Sequence, residues 1–334
     1  MRLYSILSAL FLLATGACGG SGSSQARAVA DSASTSYTER GSFAEDLAYE
    51  YVRQQVEFGP RVPGTEAHRK CGDWLVDMLR TYGADTVIVS GTPVKAWDGT
   101  VLPVRNIFAR YNSDAKDRIL LVAHYDTRPW ADQDPDPDKR MTPIDGANDG
   151  ASGVGVLLEI ARQIQKEAPT VGIDIIFFDA EDYGTPAWHR GIYKPHDWCL
   201  GSQYWGRTPH VQGYYARYGI LLDMVGGKGG TFYYEPYSYR TARKEVKKIW
   251  EKAHELGYGS YFVKQEGSEV TDDHVYVNQL ARIPCVDIIN YDPVYENSSF
   301  GPTWHTVNDN ISNIDRNTLK AVGQTVMDVI YNEK

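Results

Sequence analysis

The chain has 334 residues, 42% hydrophobic and 23% charged, enough apolar material for one full core. Its formal net charge of -9 argues against a nucleic-acid partner, because phosphate recognition draws on a basic surface. Three cysteines follow Cys18, namely Cys71, Cys199 and Cys285, so they cannot all pair within one chain, and none has the spacing of a zinc motif.

The first segment, residues 1–17, reads as an export signal: Arg2, an apolar stretch from Leu3 to Ala14, then the small residues Thr15-Gly16-Ala17. Cleavage before Cys18 suits an ordinary signal peptidase or a lipoprotein peptidase, although Thr15 stands where a lipobox usually has leucine. The Gly-Ser tract from Gly19 to Ser24 opens a flexible tether over residues 18–38. The expectation is an exported protein, periplasmic or anchored at the outer membrane, whose only membrane contact is a lipid on Cys18. Residues 39–334 are then a single catalytic domain.

Ser42 and Glu45 have capping-box spacing ahead of an amphipathic helix that ends near Gly59-Pro60. A second helix begins after Thr65, with Cys71, Leu75 and Leu79 on its apolar face and Gly83 as its stop. Strands are predicted over Thr86–Ser90 and Val104–Arg110, and shorter apolar runs follow at Ile119–Ala123, Ile173–Phe178 and Ile220–Leu222. A helix over Ala151–Lys166 joins two of these runs, giving a strand, helix, strand unit with parallel pairing. Helical spacing recurs over Arg240–Leu256, which makes Trp250 core, and over Asp315–Tyr331. Cys285 lies inside an apolar run and, with Cys71, reads as a buried thiol. These elements define an α/β fold, a three-layer α/β/α sandwich around a central mixed, mostly parallel twisted sheet.

The apolar runs end in ionisable residues, at His124-Tyr125-Asp126, at Asp179-Ala180-Glu181-Asp182 and at Asp223. Asp149 sits in a glycine-rich turn, and His305 follows a Gly-Pro loop. Ligands of open α/β sheets bind at the carboxyl ends of such strands. Each of these residues alone reads as a solvated strand end; together they offer a zinc site. Zinc takes about four ligands and a catalytic site leaves one open, so Asp149, Asp182 and His305 can supply the protein's three. Glu181 then points elsewhere, because adjacent side chains at a strand end diverge, and a carboxylate near the open position is a general base. The long stretches Thr127–Asn148 and Tyr183–Gly201 follow these strand ends and read as site-shaping loops. Asp132, Asp134, Asp136 and Asp138, spaced by proline, read as a solvated extended loop in preference to a calcium site.

His124-x-Asp126, Gly146-Ala147-Asn148-Asp149-Gly150, Phe178-Asp179-Ala180-Glu181-Asp182 and His305-Thr306-x-x-Asp309 resemble the di-zinc aminopeptidase superfamily. Within it, Asp272-Asp273-His274 and Trp304-His305 resemble the animal-type glutaminyl cyclases in a bacterial form. The resemblance spans most of residues 40–334. It implies one zinc per chain on Asp149, Asp182 and His305, Glu181 as proton shuttle, and Asp223 and Asp273 in an acidic network with it. Trp304 would position the substrate amide. Trp198 would form a second pocket wall, a place for which Trp188 competes. The implied reaction converts N-terminal glutamine of peptides and exported proteins to pyroglutamate with release of ammonia. The sequence departs from the animal pattern in having Asp182 where those enzymes have glutamate, and Ala123 and Val154 where they have a disulfide. His124 and Asp223 remain, and in aminopeptidases they bind a second zinc, so a di-zinc aminopeptidase is the alternative. A non-catalytic envelope binding protein on a peptidase fold ranks last, since no expected ionisable position is broken. Nothing in the sequence fixes an oligomeric state.

Overall fold

The chain begins with two amphipathic helices, α1 (Glu45–Glu57) and α2 (Glu66–Thr81). The computed structural model describes residues 41–191, 194–296 and 298–334; the expected export signal, Cys18 and the tether lie outside the described residues. Thr65 caps α2 as expected, its hydroxyl accepting from the His68 N–H. The capping box expected at α1 does not form. The cap position falls on Ala44, and the Ser42 hydroxyl turns to the Phe43 carbonyl. Tertiary acceptors replace it: the Phe43 N–H donates to Gln324 at 2.9 Å and the Ala44 N–H to Glu159 at 3.2 Å.

There follow β1 (Thr86–Ser90), β2 (Pro93–Lys95), β3 (Val101–Pro103), β4 (Asn106–Tyr111), β5 (Arg118–His124), α3 (Ala151–Lys166) and β6 (Gly172–Phe178). The second half holds α4 (Leu200–Arg207), β7 (Tyr218–Asp223), β8 (Phe232–Tyr234), α5 (Pro236–Thr241), α6 (Arg243–Glu255), β9 (Phe262–Glu266), α7 (Asp273–Gln279), β10 (Cys285–Ile289) and α8 (Arg316–Tyr331). The continuous helix expected over Arg240–Leu256 is divided. Ala242 leaves helical geometry at φ -134°, because an earlier helix, started by Pro236 and capped by the Glu235 carboxylate, ends there.

The main sheet has six strands in the order β1-β4-β6-β5-β7-β10. β4 runs antiparallel to both β1 and β6, while β6, β5, β7 and β10 are mutually parallel. The mixed, mostly parallel sheet of the sequence reading is what forms. Period-two alternation divides its side chains between two layers. Ile119, Leu121 and Ala123 pack with residues of α1, α3 and α8, whereas Leu120 and Val122 pack with Trp205 of α4 and Val277 of α7. Trp250 is fully buried in the first layer, as expected, and Cys71, Cys199 and Cys285 are buried free thiols. Helix α3 lies so close to β7 that a Cβ on Gly153 would stand 2.1 Å from the Leu222 carbonyl oxygen. Among the described residues, no helix is long and apolar enough to cross a membrane.

Parallel pairing brings the carboxyl ends of four strands to one edge. His124 stands beside Phe178, and Asp223 beside Ile289. The ionisable residues gather above this edge.

Candidate active site

Two buried carboxylates hold the turns that carry the candidate ligands. Asp126, just past β5, accepts from the Glu181 N–H at 3.0 Å and the Asp182 N–H at 3.1 Å. Asp309 accepts from the Asn148 N–H at 2.7 Å and the Asp149 N–H at 3.0 Å. Burial, with the Asp149 charge next, raises the Asp309 carboxyl to about 7. Gly150 then turns the chain into α3 at φ +103°, where a Cβ would meet the Asp126 carbonyl oxygen at 2.5 Å. Left-handed non-glycine residues gather here too: Ala180, Cys199, Met224 and His305 all have φ between 50° and 57°. Each such residue costs on the order of 1–3 kcal/mol and persists only where the surroundings over-determine it.

The result is two triads that share Asp149. In one, His124 Nε2 lies 3.1 Å from Asp149 Oδ1 and 3.1 Å from Asp223 Oδ1. In the other, His305 Nε2 lies 3.6 Å from Asp149 Oδ2 and 3.2 Å from Asp182 Oδ1. All are buried, and among the described residues Asp182 Oδ2 has no hydrogen-bond partner. Buried carboxylate oxygens converging on imidazole nitrogen, one of them orphaned, are a donor set suited to a divalent metal. Burial disfavours charge on His124, and hydrogen bonds with Asp126, Asp149 and Asp223 more than offset it, holding its affinity for a proton well above the usual imidazole range.

Glu181 lines the same pocket as the second triad. Burial raises its carboxyl well above the usual range; His124 opposes this, and the charges of Asp272, Asp182 and Asp273 add to it. Asp223, also expected in this network, lines the same pocket. Of the pair Asp272-Asp273, it is Asp272 that lines the pocket, within 4.8 Å of Glu181 and Cys199. Asp273 is buried at the first position of α7 and influences Glu181 through its charge. Asp272 is the helix cap, its carboxylate accepting from the Asp273 N–H, and burial, followed by the Asp223 charge, brings its carboxyl to about 7.

Aromatic side chains complete the walls. Trp304, Phe300 and Trp198 line the pocket, and Trp198 stacks on His305 with ring centroids 6.0 Å apart and planes 6° from parallel. Trp188 is not part of this wall; it is 43% exposed and meets the edge of Trp130. The fully solvated acidic loop expected over Asp132–Asp138 is corrected in part. Asp136 caps a short exposed turn that contains Asp138, but Asp132 and Asp134 are buried. Asp132 receives both Nε and Nη2 of buried Arg128 at 2.6 and 2.7 Å and lies 3.3 Å from His305 Nδ1. Arg128 also donates to the Asp182 carbonyl at 3.0 Å and sits 4.6 Å from the Trp198 ring, so it braces a candidate ligand and a wall together.

A helix-covered mixed sheet with linked carboxylate–imidazole triads over its parallel strand ends defines a metallopeptidase-type α/β protein. The chain belongs to peptidase family M28, whose pattern matches residues 106–330. It is 55% identical to the glutaminyl cyclase of Bacteroides thetaiotaomicron, solved bound to N-acetylhistamine, with a TM-score of 0.86 over 88% of this chain and 99% of that one. A structure described as a Zn-dependent exopeptidase from Parabacteroides distasonis is 54% identical, with a TM-score of 0.86 over 88% of this chain and 100% of that one. The glutaminyl-peptide cyclotransferase of Bos taurus is 27% identical over 301 residues, covering 79% of this chain and 75% of the bovine one.

Proposed function

We propose that the chain is a zinc-dependent glutaminyl-peptide cyclotransferase that converts N-terminal glutamine of peptides and proteins to pyroglutamate and ammonia. The observation that carries this reading is the pocket itself: a carboxylate of raised proton affinity, Glu181, lines one pocket with the Asp149, Asp182, His305 triad, and Trp198, Phe300 and Trp304 form its aromatic walls. The 55% identity to a glutaminyl cyclase supports it.

Asp149, Asp182 and His305 would hold one zinc, which when bound supplies Lewis-acid polarisation of the substrate's side-chain amide. The aromatic walls confine the glutamine side chain so that its own α-amine approaches the amide carbon. Ring closure is intramolecular, so holding that conformer removes much of the entropic barrier. Glu181 takes a proton from the attacking amine as the N–C bond forms, and returns it to the departing nitrogen, which leaves as ammonia. Burial, with the charges of Asp272, Asp182 and Asp273, keeps Glu181 basic enough for both transfers. Trp304 and Trp198 orient the amide.

The intact His124, Asp149, Asp223 triad favours a second reading, a di-zinc aminopeptidase. Mass spectrometry of a Gln-initiated peptide separates the two: the cyclase reading requires loss of one ammonia, and release of free glutamine would sink it. Export with a lipid on Cys18 is part of the proposal, supported by the signal-like residues 1–17 and the Gly-Ser tract after them. Cys18→Ser should move the protein from the membrane to the soluble fraction; unchanged fractionation would count against the anchor.

A further inference from the structure

One buried side chain without a role in the reaction above touches its base. Cys199 Sγ lies 3.2 Å from Glu181 Oε1. The backbones of the two residues are also tied, the Cys199 N–H donating to the Glu181 carbonyl and the Leu200 N–H to the Ala180 carbonyl, both at 2.9 Å. Cys199 holds a left-handed conformation, φ 57°, at the cap of α4, and this fold of the backbone aims its side chain back at Glu181. A non-glycine residue in that region is strained, so the conformation is imposed by the contacts around it.

We propose that Cys199 is a positioning residue for Glu181: its thiol donates to Oε1, fixing the carboxylate and leaving Oε2 to meet the substrate amine. The sulfur sits among acceptors, with Glu181 and Asp272 carboxylate oxygens within 4.8 Å, so its hydrogen has a carboxylate to serve. Burial, followed by the charges of Glu181, Asp273 and Asp272, pushes the thiol well above its ordinary range, so it keeps that hydrogen. Among the described residues, no hydrogen bond reaches Glu181 Oε2. A carboxylate free to rotate would present either oxygen; one held by a donor presents one, and a base must be aligned with the proton it takes.

The inference rests on the cyclase reading, and the experiment separates the two. Steady-state kinetics on a Gln-initiated peptide would be measured for wild-type, Cys199→Ala and Cys199→Ser, with zinc content and melting temperature for each. Cys199→Ala should lower kcat about tenfold, the lower end for loss of a hydrogen bond to a charged group, because a thiol is a weak donor. KM should stay near the wild-type value, since the contact is with the base and not the substrate. Cys199→Ser should recover part of kcat, the hydroxyl donating on a shorter arm. Wild-type kcat in the alanine variant would overturn the inference, as would a serine variant no better than alanine. A loss of rate that follows a fall in zinc or in melting temperature would reduce Cys199 to a structural role. Wild-type protein that leaves the peptide uncyclised overturns the cyclase reading, and this inference with it, before any variant is compared.

Discussion

Glu181 and Asp182 are neighbours in sequence, yet their side chains turn to different partners. Asp182 turns toward His305, 3.2 Å away, with Arg128 behind it; Glu181 turns into the cleft beside Cys199 and Asp272. Because one faces the metal-type triad and the other the open cleft, Glu181→Gln should separate chemistry from binding. The variant changes little volume and no candidate ligand, so zinc content and melting temperature should stay near wild type while cyclisation falls roughly 100- to 10,000-fold. Near-normal turnover in the zinc-loaded variant would remove Glu181 from the mechanism and leave Asp223 or Asp272 as the base. The division between Glu181 and Asp182 was legible in the sequence, since adjacent side chains at a strand end must diverge. The choice between Asp272 and Asp273 was not. It depends on which residue caps α7, and helix starts are read from sequence only to within a residue or two. Cys199 carried no sequence signal, because its partner is 18 positions away and only its left-handed turn brings them together.

The elements most legible were those whose pattern is local. The fully buried strands β5, β6 and β7 are dominated by apolar residues, interrupted in β6 by Asp174, which pairs with Arg118, and α2, α3 and α8 carry apolar faces at helical spacing. Reading failed where a distant partner overrides local chemistry. Ser42 has the capping-box sequence, but Gln324 of α8 and Glu159 of α3 already satisfy the N–H groups beside it. The stretch Asp132–Asp138 looks solvated in sequence, yet Asp132 is neutralised by Arg128, and Asp134 accepts from the Val307 N–H at 3.1 Å, two residues past His305. Half of that loop therefore supports the site. The same logic explains the Asp126 and Asp309 carboxylates, which replace backbone ladders exactly where the strands end and irregular turns begin.

At the scale of the whole molecule, the three candidate ligands come from distant parts of one compact unit, Gly41–Lys334. Asp149 sits at the entry to α3, Asp182 beyond β6, and His305 on the loop that precedes α8. On the proposed reading, a single zinc therefore joins three segments that otherwise meet through a few hydrogen bonds, such as the Ala147 N–H to the Asp309 carbonyl at 3.2 Å. Without it, Asp149, Asp182 and Asp223 share a buried space with two imidazoles and repel one another. A ligand bound only by the folded state stabilises by about 4 kcal/mol at a thousandfold excess over its dissociation constant. Stripping the metal with a chelator should accordingly lower the melting temperature by several degrees or more, and added zinc should restore it. Titrating zinc back while following both melting temperature and bound metal decides the stoichiometry. Recovery complete at one zinc per chain agrees with the cyclase reading; recovery that needs a second, tightly held zinc on His124 and Asp223 would move the chain to the aminopeptidases, and a melting temperature indifferent to chelation would remove the metal from the fold's energetics altogether.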